Sequence, residues 1–324
     1  MVLTVTINPL LERRMKFNKV TLGAENRNGV VELKTGGKGI NVSRQLTKLD
    51  IDTVAFCLLG GENGKTIKEL LFKENIKNTS VRTKTETRDN FIIYDEASDM
   101  LTTYFGQNNL VDEQEVEEFK TKLDKIIQNC EIVVFSGSSP SPAADSIFPY
   151  GIELANKYDK ISICDTYGEH LNACLDKAPT IVHNNVDEIK NSLGLKIDTR
   201  EDKINYIHSL YNKGIKQAYI TDGSNETIAA TFDFIYSVRG QKLEHVADST
   251  GSGDAFTAGI VYGLDKDFTF EQTVILACKL GAANAKSFEA CNVQQSELDS
   301  FNYSVEVSSI GKKMKILDVT PTHK

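Results

Sequence analysis

No stretch of this chain approaches the length of about 20 apolar residues that a membrane-crossing helix needs. The opening, MVLTVTINPLLERR, lacks a basic segment followed by a long apolar run, so no membrane partner is expected and the chain reads as cytosolic. Cys-x-x-Cys pairs are missing too. The six cysteines stand at 57, 130, 164, 174, 278 and 291, and Cys57, Cys130 and Cys164 lie in or beside apolar runs. That pattern points to reduced core residues rather than disulfides or zinc ligands. A basic excess is also lacking. With 37 Lys and Arg against 45 Asp and Glu, the formal charge of −8 argues against a sequence-independent nucleic-acid partner, and any anionic substrate must be captured by local cations. Internal repeats, low-complexity tracts and long linkers are absent. A content of 40% hydrophobic and 25% charged residues is that of an ordinary globular protein, expected here as one domain over residues 1–324.

What the chain has is a rhythm of short Val- and Ile-rich runs: VLTVTIN at 2–8, TVAFCLLG at 53–60, EIVVFSG at 131–137, KISICDT at 160–166, TIVHNN at 180–185 and QAYITDG at 217–223. Most are followed by a segment with apolar residues near a 3.6 period, such as EQEVEEFKTKLDKIIQN or REDKINYIHSLYNKG. Strands alternating with helices predict an α/β fold with a doubly wound, mostly parallel sheet. Ligands bind such sheets beyond the carboxyl ends of the strands, which here carry Asn8, Gly60, Gly61, Ser136, Ser138, Asp165, Asn185 and Thr221. Two segments break the rhythm, at about 10–34 and 86–106. They mix alternating apolar residues with turn signals and predict a small antiparallel β lid outside the main sheet. Such a lid would exclude water from a reaction site and offer a surface for a homodimer. A strand-like KMKILDV closes the chain.

The most informative string is DSTGSGDAFTAG at 248–259, a Gly-Ser-Gly turn directly before a helix-forming run. Such a helix start presents unsatisfied N–H groups and the positive end of the helix dipole, and so binds phosphates. A carboxylate at that point, Asp254, repels the ligand and suits a different task, taking a proton from an attacking hydroxyl; capping the helix is its purely structural alternative. The second string, GGKGIN at 36–41, pairs glycines with a mobile cation, Lys38, and an amide, Asn41, able to contact sugar hydroxyls. The third, NVDE at 185–188, carries the pattern of a helix capping box, an Asn with a Glu three residues on. GGENGKT near residue 60 is one residue short of a Walker A loop, since position 59 is Leu, and is rejected as one.

Together these strings resemble the ribokinase-like (PfkB) carbohydrate kinases. GGKGIN is similar to the N-terminal signature of the branch acting on phosphorylated hexoses, the 1-phosphofructokinases and tagatose-6-phosphate kinases. TVTINPLLER at 4–13, ETRDN at 86–90, FSGSSP at 135–140 and DTYGE at 165–169 resemble further motifs of that branch. The resemblance implies a sugar between Glu12, Gly37, Lys38 and Asn41, near Asn90, with its phosphate held by Lys38, Arg88, Ser138 and, more weakly, Arg27. It implies nucleotide contacts at Asn185, Thr221, Gly223, Ser224, Ser249, Gly251 and Asn284, and Mg²⁺ organised by Asn185 and Glu188 through water. Asp254 would be the base, with the amides of Gly251, Ser252 and Gly253 facing the transferred phosphoryl group. The chain departs from the family in Glu12 for a usual Asp, in His183-Asn184-Asn185 for Lys-Pro-Asn, and in Thr221-Asp222-Gly223 for Ser-Leu-Gly. The reading is therefore an ATP- and Mg²⁺-dependent kinase of a ketohexose phosphate, fructose 1-phosphate or tagatose 6-phosphate. Two alternatives stay open: a kinase of an unphosphorylated sugar or nucleoside, and a weakly active sugar-phosphate sensor.

Overall fold

The computed structural model describes residues 1–312, so the KMKILDV stretch at 313–319 lies outside the described residues. Among the described residues ten strands form the main sheet. Their order is β14 (Val305–Lys312), β13 (Phe234–Gly240), β12 (Thr227–Ala230), β11 (Gln217–Thr221), β10 (Ile181–Asn185), β9 (Ile161–Thr166), β8 (Ile132–Gly137), β1 (Val2–Thr6), β4 (Thr53–Gly60) and β5 (Lys77–Thr83). From β5 to β11 every neighbouring pair is parallel, and β12, β13 and β14 add antiparallel strands at one edge. All six Val- and Ile-rich runs are strands of the parallel part.

Parallel strands must be covered on both faces, which is why all five residues of β1 are buried. One face packs α3 (Glu113–Ile127), α4 (Ile147–Lys157), α5 (Leu171–Asp176), α6 (Val186–Leu193) and α7 (Arg200–Asn212); the other packs α1 (Lys38–Lys48), α2 (Gly61–Lys73), α8 (Ser252–Asp265), α9 (Phe270–Asn284) and α10 (Gln295–Ser300). Helix α3 shows how the sequence dictates this. Asp112 and Glu115 close a reciprocal capping box, and Val116, Phe119, Leu123 and Ile127 fall on one buried stripe, with Phe119 stacked on Phe56 of β4 at 3.9 Å. Full burial of each such side chain contributes about 1.5–3 kcal/mol. The cysteines are unpaired; burial pushes the Cys57 thiol up to about 12, which keeps it protonated and inert.

The two segments outside the βα rhythm form a separate four-stranded sheet, β2 (Leu10–Phe17), β3 (Val30–Gly36), β6 (Asp89–Asp95) and β7 (Met100–Phe105), in the order β3-β2-β6-β7. The β2–β3 and β6–β7 pairs are antiparallel, and β2 and β6 join them side by side in parallel. The main sheet changes winding direction beside β1: β4 and β5 extend one way, β8 to β11 the other. The crevice at the carboxyl ends of β1 and β8 is the place such a topology leaves for a ligand.

Candidate active site

Helix α8 begins on the Gly-Ser-Gly turn, with Gly251 in the left-handed region at φ 80°. Only glycine suits that position, since a Cβ there would also lie 2.8 Å from Cβ of Ala290. Among the described residues the amides of Gly251 and Gly253 have no acceptor, whereas Ser252 N–H donates to the Ser249 carbonyl at 3.1 Å. Asn284 braces the turn, donating to the Thr250 carbonyl at 2.9 Å and to Ser252 Oγ at 3.1 Å, while its own carbonyl accepts from Cys291 N–H at 2.6 Å. The result is a rigid helix end with free donors, the arrangement that receives a phosphate.

Asp254 is buried one turn into α8 and accepts from Asn41 Nδ2 at 2.8 Å. Burial pushes its carboxyl up to about 7, against the pull of the Lys38 ammonium and with a further push from Asp165. A carboxylate poised near neutrality matches what a general base at cellular pH requires. Asn41 is oriented from behind: its carbonyl accepts from Arg44 Nη1 at 2.7 Å, which turns its NH₂ toward Asp254. Arg44 is held in turn by Glu74 at 2.5 Å and by the Thr35 carbonyl at 2.8 Å. Gly37, at φ 122°, opens α1 immediately beside this group.

Lys38 is not a free cation. Its Nζ lies 3.0 Å from Asp165 Oδ1 and 2.5 Å from Glu188 Oε1. Burial works to lower its pKa, but Asp165, Glu188 and Asp254 outweigh that and hold it well above the ordinary lysine value. Asp165, fully buried at the end of β9, also accepts from Ser136 Oγ at 3.0 Å and Thr257 Oγ1 at 3.1 Å, and burial pushes its carboxyl up. Because the Thr257 hydroxyl donates to Asp165, it accepts from His183 Nδ1–H at 2.8 Å; His183 Nε2 then accepts from Thr221 Oγ1 at 3.2 Å. Burial pushes His183 down to about 3, so it is neutral.

Asn185 and Glu188 form the capping box of α6, and the two Glu188 oxygens contact Lys38 and the Asn185 N–H. Among the described residues no group of three or more His, Cys, Asp or Glu is placed to hold a metal ion. Both Glu188 oxygens are engaged, so a metal here would be met only through its own waters.

A second cluster lies at the crevice between β1 and β8. Asn8 Nδ2 donates to Ser138 Oγ at 3.0 Å and to Asn108 Oδ1 at 3.1 Å, and Arg88 donates to Asn108 Oδ1 at 2.9 Å and to the Asn8 carbonyl at 3.2 Å. Arg88 has no carboxylate partner among the described residues, its Nε is buried without an acceptor, and burial lowers its pKa. Tyr167 bridges the clusters, its ring centroid 5.2 Å from Lys38 Nζ and its hydroxyl close enough to influence Arg88. Glu12 and Asn90 are register partners on β2 and β6; Glu12 pairs with Arg14 at 2.8 Å and Asn90 Oδ1 is buried without a partner.

The structure thus gathers Lys38, Asn41, Asp254, Asn185 and Glu188 in one group and Arg88 with Ser138 in another. Arg27 stands apart, exposed in the β2–β3 loop and paired with Glu25. Gly223 and Ser224 are exposed in a turn, and Asp222 binds Lys203 at 2.8 Å. Sequence reasoning put Asn8 and Asp165 at the ligand-binding edge of the sheet without giving either a role, and did not single out Asn108, Arg44 or Thr257. Asp165 carried a signal, an acid ending an apolar strand.

Comparison with known proteins follows the same outline. The family model described as pfkB family carbohydrate kinase matches residues 11–297. A tagatose-6-phosphate kinase of Staphylococcus epidermidis is 28% identical over 314 residues, covering 96% of this chain and 100% of that protein. The structure of a Thermotoga maritima protein described as a possible 1-phosphofructokinase superposes with a TM-score of 0.84 at 25% identity, over 96% of this chain and 99% of that one. Phosphofructokinase-2 from Escherichia coli, solved in complex with potassium, gives a TM-score of 0.85 at 22% identity over 92% and 96% of the two chains, a likeness of fold.

Proposed function

We propose, from the premise that the chain belongs to the pfkB family of carbohydrate kinases, that it phosphorylates a ketohexose phosphate, fructose 1-phosphate or tagatose 6-phosphate, giving a bisphosphate and ADP. Phosphoryl transfer from ATP to a sugar hydroxyl comes with the family. The acceptor is argued from one observation: Arg88, half-buried, without a carboxylate partner among the described residues and with a free Nε–H, awaits an anion beside Ser138 and Asn8. A phosphate dianion on the acceptor satisfies it in bidentate fashion. The tagatose-6-phosphate kinase relative supports the same class.

In this reading Asp254 takes the proton of the acceptor hydroxyl as that oxygen attacks phosphorus. Asn41, fixed by Arg44, aims the carboxylate. The amides of Gly251 and Gly253 receive the charge on the transferred group, where each preorganised donor lowers the barrier by about 3–4 kcal/mol. Mg²⁺, when bound with the nucleotide, neutralises its phosphates; Glu188 and Asn185 would hold it through water. Lys38 keeps Asp165, Glu188 and Asp254 compatible in one buried space. The four-stranded sheet would act as a lid that excludes water and as the surface on which two copies pair, since Val31, Phe91, Met100 and Tyr104 are exposed along one face of it.

A second reading, a neutral sugar or nucleoside acceptor, draws on Lys38, whose charge is already met by carboxylates and adds nothing for a second phosphate. Coupled ADP release with ATP and Mg²⁺ separates the two. Selective turnover of one phosphorylated ketohexose supports the proposal. Turnover of free hexoses or nucleosides alone overturns it, and silence across the panel favours a sugar-phosphate sensor.

A further inference from the structure

Behind the base lies a cavity of about 260 Å³, between the edge strand β3, helix α1, the end of α2 and the 289–292 loop. Its charges do not balance. Three carboxylates line it and each is already engaged: Glu12 by Arg14 at 2.8 Å, Glu74 by Arg44 at 2.5 Å, and Glu289 by Lys34 at 3.2 Å. Lys34 is shared with Glu32, which does not line the cavity. Two further lining cations, Lys48 and Lys73, have no side-chain partner among the described residues. A lysine in the last turn of a helix, as both are, offsets the helix dipole by about 0.3–1 kcal/mol. That explains either lysine alone, but not two unpaired lysines, one half-buried and one exposed, lining one open cavity whose other charges are neutralised. Their two surplus charges match a dianion.

We propose that the Lys48–Lys73 end of this cavity, whose other end carries Glu12 and Asn41 of the expected sugar site, is a second anion site, for a phosphate dianion, free or as a small monoester, separate from the acceptor's phosphate site at Arg88. Lys48 is ten residues along α1 from Lys38, about 15 Å at helical rise, so an anion held there is not the acceptor's phosphate at Arg88. The inner wall is the Arg44–Asn41 pair, which hydrogen-bonds directly to Asp254. A dianion between Lys48 and Lys73 competes with Glu74 for Arg44, so occupancy is felt at Asn41 and through it at the carboxylate. The site stands on the cavity and its charges, whatever the acceptor sugar is.

The test labels lysines of the full-length protein with an amine-acylating reagent and reads each peptide by mass spectrometry. Three arms are compared: inorganic phosphate, glycerol phosphate, and sodium chloride at matched ionic strength. Protection of Lys48 and Lys73, with exposed Lys65 and Lys84 unchanged, is the expected result. Protection by only one of the two phosphates assigns the ligand to that source. The wild type is expected to change kcat with added phosphate and the Lys48→Ala/Lys73→Ala double variant to keep basal turnover without that response. Equal labelling in all arms, or the same phosphate dependence in the double variant, overturns the proposal.

Discussion

Removing the Lys38 charge tests the electrostatic account of the site most directly. Its ammonium lies 3.0 Å from Asp165 and 2.5 Å from Glu188 and pulls the Asp254 carboxyl down against burial. In Lys38→Met three acids share a buried space without a cation. At an effective dielectric of about 20, a unit charge within such a cluster contributes on the order of 2 kcal/mol, or roughly 1.5 pH units. The acid limb of kcat/KM, expected near pH 7 from Asp254, should therefore move to about 8.5, with activity at pH 7 lower by about 15-fold. A pH series of coupled ADP release reads this. Stability follows with a defined sign. Carboxylates whose folded pKa lies above the unfolded value carry no penalty below the unfolded value, and the penalty grows as pH rises toward the folded one. The variant's urea midpoint should thus fall further below wild type at pH 8 than at pH 5, toward the loss of about 3–5 kcal/mol seen when a buried pair is broken. A uniform drop in rate with the limb still near 7 would refute the reasoning and place Lys38 on the substrate alone.

Asp254→Asn should cost at least about 100-fold in kcat with little change in ATP affinity; unchanged turnover removes Asp254 as the base. Arg88→Ala should raise KM for a phosphorylated acceptor by about 10- to 100-fold, the worth of charged hydrogen bonds, and leave KM for an unphosphorylated sugar alone. An equal effect on both acceptors would mean that Arg88 shapes the crevice without holding a phosphate. Light scattering should give the mass of a dimer for the wild type and of a monomer for Phe91→Glu/Tyr104→Glu, with a wild-type monomer ruling out pairing through the lid.

The parallel core was legible because its strands are buried on both faces and read as unbroken Val and Ile runs. Strand β5, KNTSVRT, was not, since it closes an edge and six of its seven residues are polar. Strand β12, TIAA, is too short to show a period, and β13 and β14 carry mixed patterns at the other edge. The Gly-Ser-Gly-Asp turn was readable because helix start and acid are adjacent in the chain. The surroundings of Lys38 were not: its carboxylates arrive from 127 and 150 residues away. Arg88 shows the same limit, because its unpaired state follows from what does not approach it. Arg44 looks like any helix cation until folding puts Asn41 between it and Asp254.

The bond from Asn41 to Asp254 joins residues 213 positions apart. At a synthesis rate of about 5–20 residues per second, about 10–40 s separate the two on the ribosome. By the end of that interval the parallel strands and the lid have been made, so a nascent chain is able to enclose a sugar before it owns the group that activates it. Activity then begins only when α8 packs beside α1, and the last quarter of translation serves as the enzyme's time lock.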